Sequence, residues 1–137
     1  LKIKNVCCVY PTAVLITSKQ LINSFKEFKK NRFNFLFSAQ KFPHPIQRAI
    51  IKKKNGLKML KRKYYNKQSN HLLDTYYDAG QFYWGNVDSW LNNKNLHANA
   101  IGYIIPSWRA VDIDTNEDWE RAEIINDGQK NRIDLNK

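Results

Sequence analysis

The stretch Asp112-Ile113-Asp114-Thr115 sets two carboxylates two residues apart, just ahead of a segment with helical spacing. On an extended backbone, positions i and i+2 point the same way, so the two side chains can converge on one hard cation. Magnesium suits such a pair, because it takes one or two carboxylates and fills its remaining sites with water and phosphate oxygens. The same residues have a plainer use. Asp114 and Asp118 stand where a helix N-terminus favours negative charge, and residue type alone leaves both uses open.

Two other stretches could do chemistry. In Asp78-Ala79-Gly80-Gln81-Phe82-Tyr83-Trp84 a turn of small residues leads into an aromatic run, and the backbone at Gly80 could approach a ligand closely. In Phe42-Pro43-His44-Pro45-Ile46-Gln47-Arg48 a stiff turn leads to an arginine whose planar fork could grip a carboxylate or phosphate. The plain alternatives are a strand start with core aromatics and a solvated surface arginine. His44, His71 and His97 show no metal-ligand spacing and are expected to be structural. Cys7 and Cys8 are adjacent and alone, which excludes a disulfide framework and points to a reducing compartment. No glycine-rich phosphate loop, nucleophile elbow or zinc pattern occurs.

The elements that must position these residues follow from periodicity. Ile3 to Tyr10 reads as a buried strand stopped by Pro11. Thr17 or Ser18 caps a helix with Leu21, Ile22, Phe25 and Phe28 on one face and Lys26, Lys29 and Lys30 near its C-terminal end. Phe33, Phe35 and Phe37 alternate as in a strand, and Phe42 to Pro45 breaks it. Ile46–Ile51 and Leu57–Leu60 flank Lys52-Lys53-Lys54-Asn55-Gly56, the chemistry of a tight hairpin with a lysine-rich tip. The run from Lys61 to Asn70 reads as a loop, and Gln81–Trp84 and Ile101–Ile105 as strands. Val87–Leu91 reads as a short helix. Thr115 caps a last helix carrying Trp119, Ala122 and Ile125, with Asp118 completing a variant of the capping box. Strands alternating with helices, with one hairpin inserted, predict an α/β domain.

Composition narrows the classes. The chain has 137 residues, enough for one ordinary domain, and its 42% hydrophobic content excludes wholesale disorder. The longest apolar run, Val6 to Ile16, is interrupted by Pro11 and Thr12 and is too short to span a bilayer. A cytoplasmic protein without membrane contact is expected. The charge is lopsided: residues 1–73 hold 17 Lys and Arg against one acid, whereas residues 74–137 hold 6 against 11. A basic nucleic-acid-binding module would account for the first part, as would a site for small anions or a bias toward Lys and Asn. No nucleic-acid-binding motif supports the first of these. Leu1 in place of Met, followed at once by core-like residues, suggests a piece of something longer.

Taken in order, Cys7-Cys8-Val9-Tyr10-Pro11-Thr12-Ala13, Phe42-Pro43-His44-Pro45-Ile46-Gln47-Arg48-Ala49, Asp78 to Gly85 and Asp112 to Thr115 resemble the acylneuraminate cytidylyltransferases. The pseudaminic acid cytidylyltransferase branch is the most similar, and the resemblance runs from about Lys4 to Asn126. It implies a nucleotide-diphospho-sugar transferase-like, Rossmann-like three-layer α/β fold, forming a homodimer through an inserted lobe. It implies a transfer in which the anomeric hydroxyl of a nonulosonic acid, such as pseudaminic acid, attacks the α-phosphate of CTP, releasing pyrophosphate. By the same resemblance Asp112 and Asp114 match the catalytic pair that holds Mg²⁺, and Gln47, Arg48, Gly80 and Gln81 match positions near the sugar.

The glycine- and lysine-containing loop that cradles CTP in this family has no counterpart here, so residues 1–137 correspond to the C-terminal portion of the domain. The expectation is that they do not turn over CTP alone, and a non-catalytic remnant is the alternative. Val14, Gln68 and Tyr77 also depart from the branch, where Pro, Arg and His are usual.

Overall fold

A computed structural model describes residues 2–92 and 95–134, the last five of them as backbone only. Six strands and three α-helices occur among the described residues, with four of the strands following one another between the first and second helices. The strands are β1 (Asn5–Val9), β2 (Phe35–Lys41), β3 (Ile50–Lys53), β4 (Gly56–Met59), β5 (Tyr76–Asn86) and β6 (Ala100–Ile104). The helices are α1 (Ser18–Lys30), α2 (Val87–Asn92) and α3 (Asn116–Asp134). The chain divides into two compact units, residues 41–77 forming one and residues 1–40 with 78–137 the other.

The larger unit carries a four-stranded mixed sheet in the order β1-β5-β2-β6. β1 runs antiparallel to β5, with Cys8 opposite Tyr83, and β2 runs parallel to β6, with Phe37 opposite Gly102. This α/β architecture with a mixed sheet is compatible with a Rossmann-like fold. β2 is an interior strand, and that explains a departure from the expected alternation. Phe35 and Leu36 are both fully buried, because each face of an interior strand is covered.

One face is covered by α1. Phe28 of α1 packs with Leu36, Ala79, Phe82 and Ile105, and Leu21, Phe25 and Trp84 join them. Each such Phe side chain contributes about 1.5–3 kcal/mol by leaving water. The N-terminus of α1 closes as expected on Thr17, whose hydroxyl accepts the Gln20 N–H while the Gln20 side chain accepts the Thr17 N–H. Ile22 is 54% exposed, so the apolar face is narrower than the sequence suggests. Ser24 takes an inward position instead, its Oγ accepting the Trp84 indole N–H at 3.0 Å. The opposite face of the sheet is met by α2, where Trp90 stands edge-on to Phe35, ring centroids 5.2 Å apart. A second, smaller core joins Leu15, Val111 and Ala122 of α3, with Ile113 and Ile125 against it.

The smaller unit contains the expected hairpin, β3 pairing antiparallel with β4. Its turn falls on Lys54 and Asn55, and Gly56 supplies the positive φ of 106° that a residue with a side chain rarely adopts. Lys52, Lys53 and Lys54 are all exposed. The segment read as a loop, 61–70, is broken by short 3-10 turns at Arg62–Tyr64 and Ser69–His71. Ten of the chain's Lys and Arg lie in this unit against a single acid, Asp74. No helix among the described residues is long and apolar enough to cross a membrane.

Candidate functional site

Asp112 and Asp114 lie in the segment between β6 and α3. Val111 is buried and Ile113 packs against the second core, while both aspartates are exposed. The apolar pair therefore anchors one side of this segment and leaves the carboxylates on the other. Neither carboxylate enters a hydrogen bond or ion pair among the described residues.

The capping duty falls on Asp118 instead. Its Oδ2 accepts the Thr115 hydroxyl at 2.7 Å and the backbone N–H groups of Thr115 and Asp114 at 3.0 and 3.2 Å. The Thr115 hydroxyl in turn accepts the Asp118 N–H. These bonds, led by the one from Thr115, hold the Asp118 carboxyl below its ordinary range. Asp118 thus fixes the backbone that carries Asp114.

No group of three or more His, Cys, Asp or Glu side chains able to cage a metal occurs among the described residues. Two free carboxylates fit a cation that keeps water and phosphate oxygens as its other ligands.

The second stretch forms the start of β5, and its glycine works as the sequence suggests. Gly80 sits at φ +63° with open space where a Cβ would stand, and its N–H donates to Asp78 Oδ1 at 2.9 Å. The resulting kink directs the next two N–H groups, of Gln81 and Phe82, onto one acceptor, the buried Ser38 hydroxyl. The Gln81 side chain is 1% exposed, donates through Nε2 to the Ala79 carbonyl, and leaves Oε1 buried with no partner.

Sequence reasoning missed the cluster around Asp78. The Tyr83 hydroxyl donates to both Asp78 oxygens at 3.0 Å, and His97 Nε2 stands 2.7 Å from Asp78 Oδ2. Burial, then the Asp78 charge, push the Tyr83 phenol far above its ordinary range, so it stays a hydrogen-bond donor. His97, expected to be structural, has a side chain that is 55% exposed. Its distance from Asp78 in sequence hid the contact.

Gln47 and Arg48 belong to the unit of residues 41–77. They fall in a 3-10 turn after Pro45, not on a strand. Gln47 Nε2 donates to the Leu73 carbonyl at 3.0 Å, while its Oε1 is buried without a partner. Arg48 is exposed. The same unit has a cavity of about 590 Å³ lined by Lys58, Met59, Arg62 and Tyr65.

Fold and site together define an α/β domain with a pair of free aspartates between its last strand and last helix. No protein-family model matches the chain. Curated relatives do: the chain is 36% identical over 123 residues, 88% of its length, to a pseudaminic acid cytidylyltransferase of Campylobacter jejuni subsp. jejuni serotype O:23/36. It is equally similar to the protein of that name from serotype O:2. It is 28% identical over 109 residues, 78% of its length, to a Helicobacter pylori protein named pseudaminic acid cytidylyltransferase and UDP-2,4-diacetamido-2,4,6-trideoxy-beta-L-altropyranose hydrolase. The chain is a homologue of the pseudaminic acid cytidylyltransferases, as the sequence motifs implied. It spans 53% of the length of the two Campylobacter relatives and 21% of the Helicobacter one.

Proposed function

We propose that this chain is part of a cytidylyltransferase, a nucleotidyltransferase that joins CTP to a nonulosonic acid such as pseudaminic acid, giving a CMP-sugar and pyrophosphate. The observation that carries this reading is the homology over 88% of the chain, coupled with two exposed carboxylates that no other group in the described structure engages. In this reading the fold is of the nucleotide-sugar transferase class, and the working molecule is a homodimer.

Asp112 and Asp114 would hold Mg²⁺, which when bound neutralises charge on the phosphates. Asp118 keeps the Asp114 backbone in place through the three bonds above. Gly80 and Gln81 shape the sugar side of the site, Gln81 from a buried position beneath it. Gln47 and Arg48 are the remaining residues that the resemblance assigns to the sugar, Arg48 as a cation suited to its carboxylate. The basic excess of the chain attracts two anionic substrates.

Thermal unfolding of the full chain with CMP-sugar and Mg²⁺ tests the reading. Stabilisation that requires both additives and disappears in Asp112→Ala and in Asp114→Ala supports it. Indifference to the CMP-sugar, together with retention on single-stranded DNA that falls steeply with salt, would replace it with a nucleic-acid-binding module. Indifference to both would leave a non-catalytic remnant.

A further inference from the structure

The sheet face opposite α1 carries Gln81 and, beside it, a polar cluster of Asp78, Tyr83 and His97 that the roles above do not use. Gln81 and Tyr83 alternate with Phe82, which packs toward α1, so both project to this face. Cys8 is opposite Tyr83 in register and shares the face. Tyr10 lies beside Tyr83, ring centroids 5.3 Å apart, and is 43% exposed. His97 reaches the same face from the segment before β6, its ring edge-on to Phe37 with centroids 4.8 Å apart. The segment is held by its own bonds: the His97 N–H donates to Asn95 Oδ1, and the Asn99 carbonyl accepts the Asn34 N–H.

The cluster has a definite polarity. Asp78 is an acceptor that already takes the Gly80 N–H and the Tyr83 hydroxyl. Tyr83 is a donor. The His97 nitrogen facing Asp78 must therefore carry the proton, which leaves Nδ1 of the neutral ring as a lone pair. Nδ1 has no partner among the described residues. Gln81 Oε1 on the same face is a second, buried acceptor with none. Of the two, His97 Nδ1 belongs to a side chain that is 55% exposed, and an accessible acceptor among aromatic rings suits a ligand with hydroxyl groups, as a sugar has.

Resting on the cytidylyltransferase reading, we propose that His97 is a sugar-contacting residue: Asp78 fixes its Nε2–H tautomer so that Nδ1 accepts a hydrogen bond from a hydroxyl of the nine-carbon acid. Asp78 and Tyr83 are positioning residues, acting through His97. Among the described residues, Tyr10 and Cys8 are further titratable groups on this face.

Two measurements on the full chain decide it. Proton–nitrogen correlation spectra of the imidazoles should show neutral His97 protonated on Nε2, with that preference reduced in Asp78→Asn. Calorimetric titration with pseudaminic acid should show binding. His97→Ala should lose about tenfold in affinity, and His97→Gln, whose amide oxygen can replace the Nδ1 acceptor, should recover part of it. A purely structural pin would lower the melting temperature of His97→Ala yet leave sugar affinity intact, and that result overturns the proposal. A ring protonated on Nδ1 does the same. A wild-type chain that responds to CMP with Mg²⁺ but not to the sugar sinks this inference alone, whereas one that responds to neither sinks the cytidylyltransferase reading with it.

Discussion

The hydroxyl of Ser38 accepts two backbone N–H groups of the neighbouring strand, from Gln81 at 3.0 Å and from Phe82 at 3.1 Å. Such a double acceptance is what a kinked strand needs, because its consecutive N–H groups turn toward one point on the partner strand. Ser38 is fully buried, and no water reaches these donors in its place. Ser38→Ala strands both N–H groups and is expected to cost about 2–4 kcal/mol, from roughly 1–3 for each unsatisfied buried group after partial relaxation. Denaturant unfolding of the two proteins measures this. Ser38→Thr, which keeps the hydroxyl, should lose less than the alanine variant.

The two glycines of β5 make opposite demands, and alanine separates them. At Gly80 a Cβ would meet nothing, but φ is +63°, so Gly80→Ala suffers from backbone conformation alone, about 1–2 kcal/mol. At Gly85 a Cβ would stand 2.6 Å from the Trp90 indole nitrogen and 2.8 Å from the Phe35 ring. Gly85→Ala must push α2 off the sheet, and its expected loss is about 1–3 kcal/mol. A Trp90 fluorescence change should accompany the Gly85 variant and be absent from the Gly80 one, since only the former disturbs the indole. Equal fluorescence in both would contradict this account of the packing.

The elements most legible in the sequence were those defined by local chemistry. The Thr115–Asp118 cap, the break at Pro43–Pro45 and the shared direction of Asp112 and Asp114 all read directly, because each depends on residues within four positions. Features that depend on strand order did not. Nothing near Phe35 announces that its strand is interior, so the burial of Leu36 beside it was hidden. The meeting of His97 with Asp78 requires α2 to carry the chain back across the sheet, and no local pattern encodes that return. Gln81 stood out by motif, but its unpaired oxygen is a property of packing.

Alkaline sensitivity follows from the β1–β5 pair. Burial raises the Cys7 thiol from 9.0 to about 11, with the Cys8 charge adding to the effect. Burial, then the Asp78 charge, also raise Tyr83. In both cases the folded state holds the proton more tightly than the unfolded chain. Stability from these groups is therefore fully present below the unfolded values and is lost as pH rises through the folded ones. For Cys7 the window opens near pH 9 and closes near pH 11. Urea midpoints should fall across that range and fall less in Cys7→Ala. At pH 8 the Cys7 thiolate is roughly a thousandth of the total, so alkylation of Cys7 in the folded chain should be far slower than in urea.

Acid acts at the other end, through Asp118. Its carboxyl is held below the ordinary 3.8, first by the Thr115 hydroxyl, so the ionised form is favoured by folding. That contribution is complete above the unfolded value and fades as pH falls through the lower, folded one. Because Asp118 also accepts the Asp114 N–H, losing it should disturb more than a helix end. Asp118→Ala is expected to fray the first turn of α3 and let the Asp112–Asp114 segment move. If those two carboxylates take a divalent ion, Asp118→Ala should weaken Mn²⁺ binding by severalfold, measured by water-proton relaxation, although it removes neither ligand. Asp118→Asn keeps an oxygen for the Thr115 hydroxyl and should fall between the alanine variant and the wild type. Unchanged Mn²⁺ affinity in Asp118→Ala, with Asp112→Asn weakened, would show that the pair is preformed by Val111 and Ile113 packing alone.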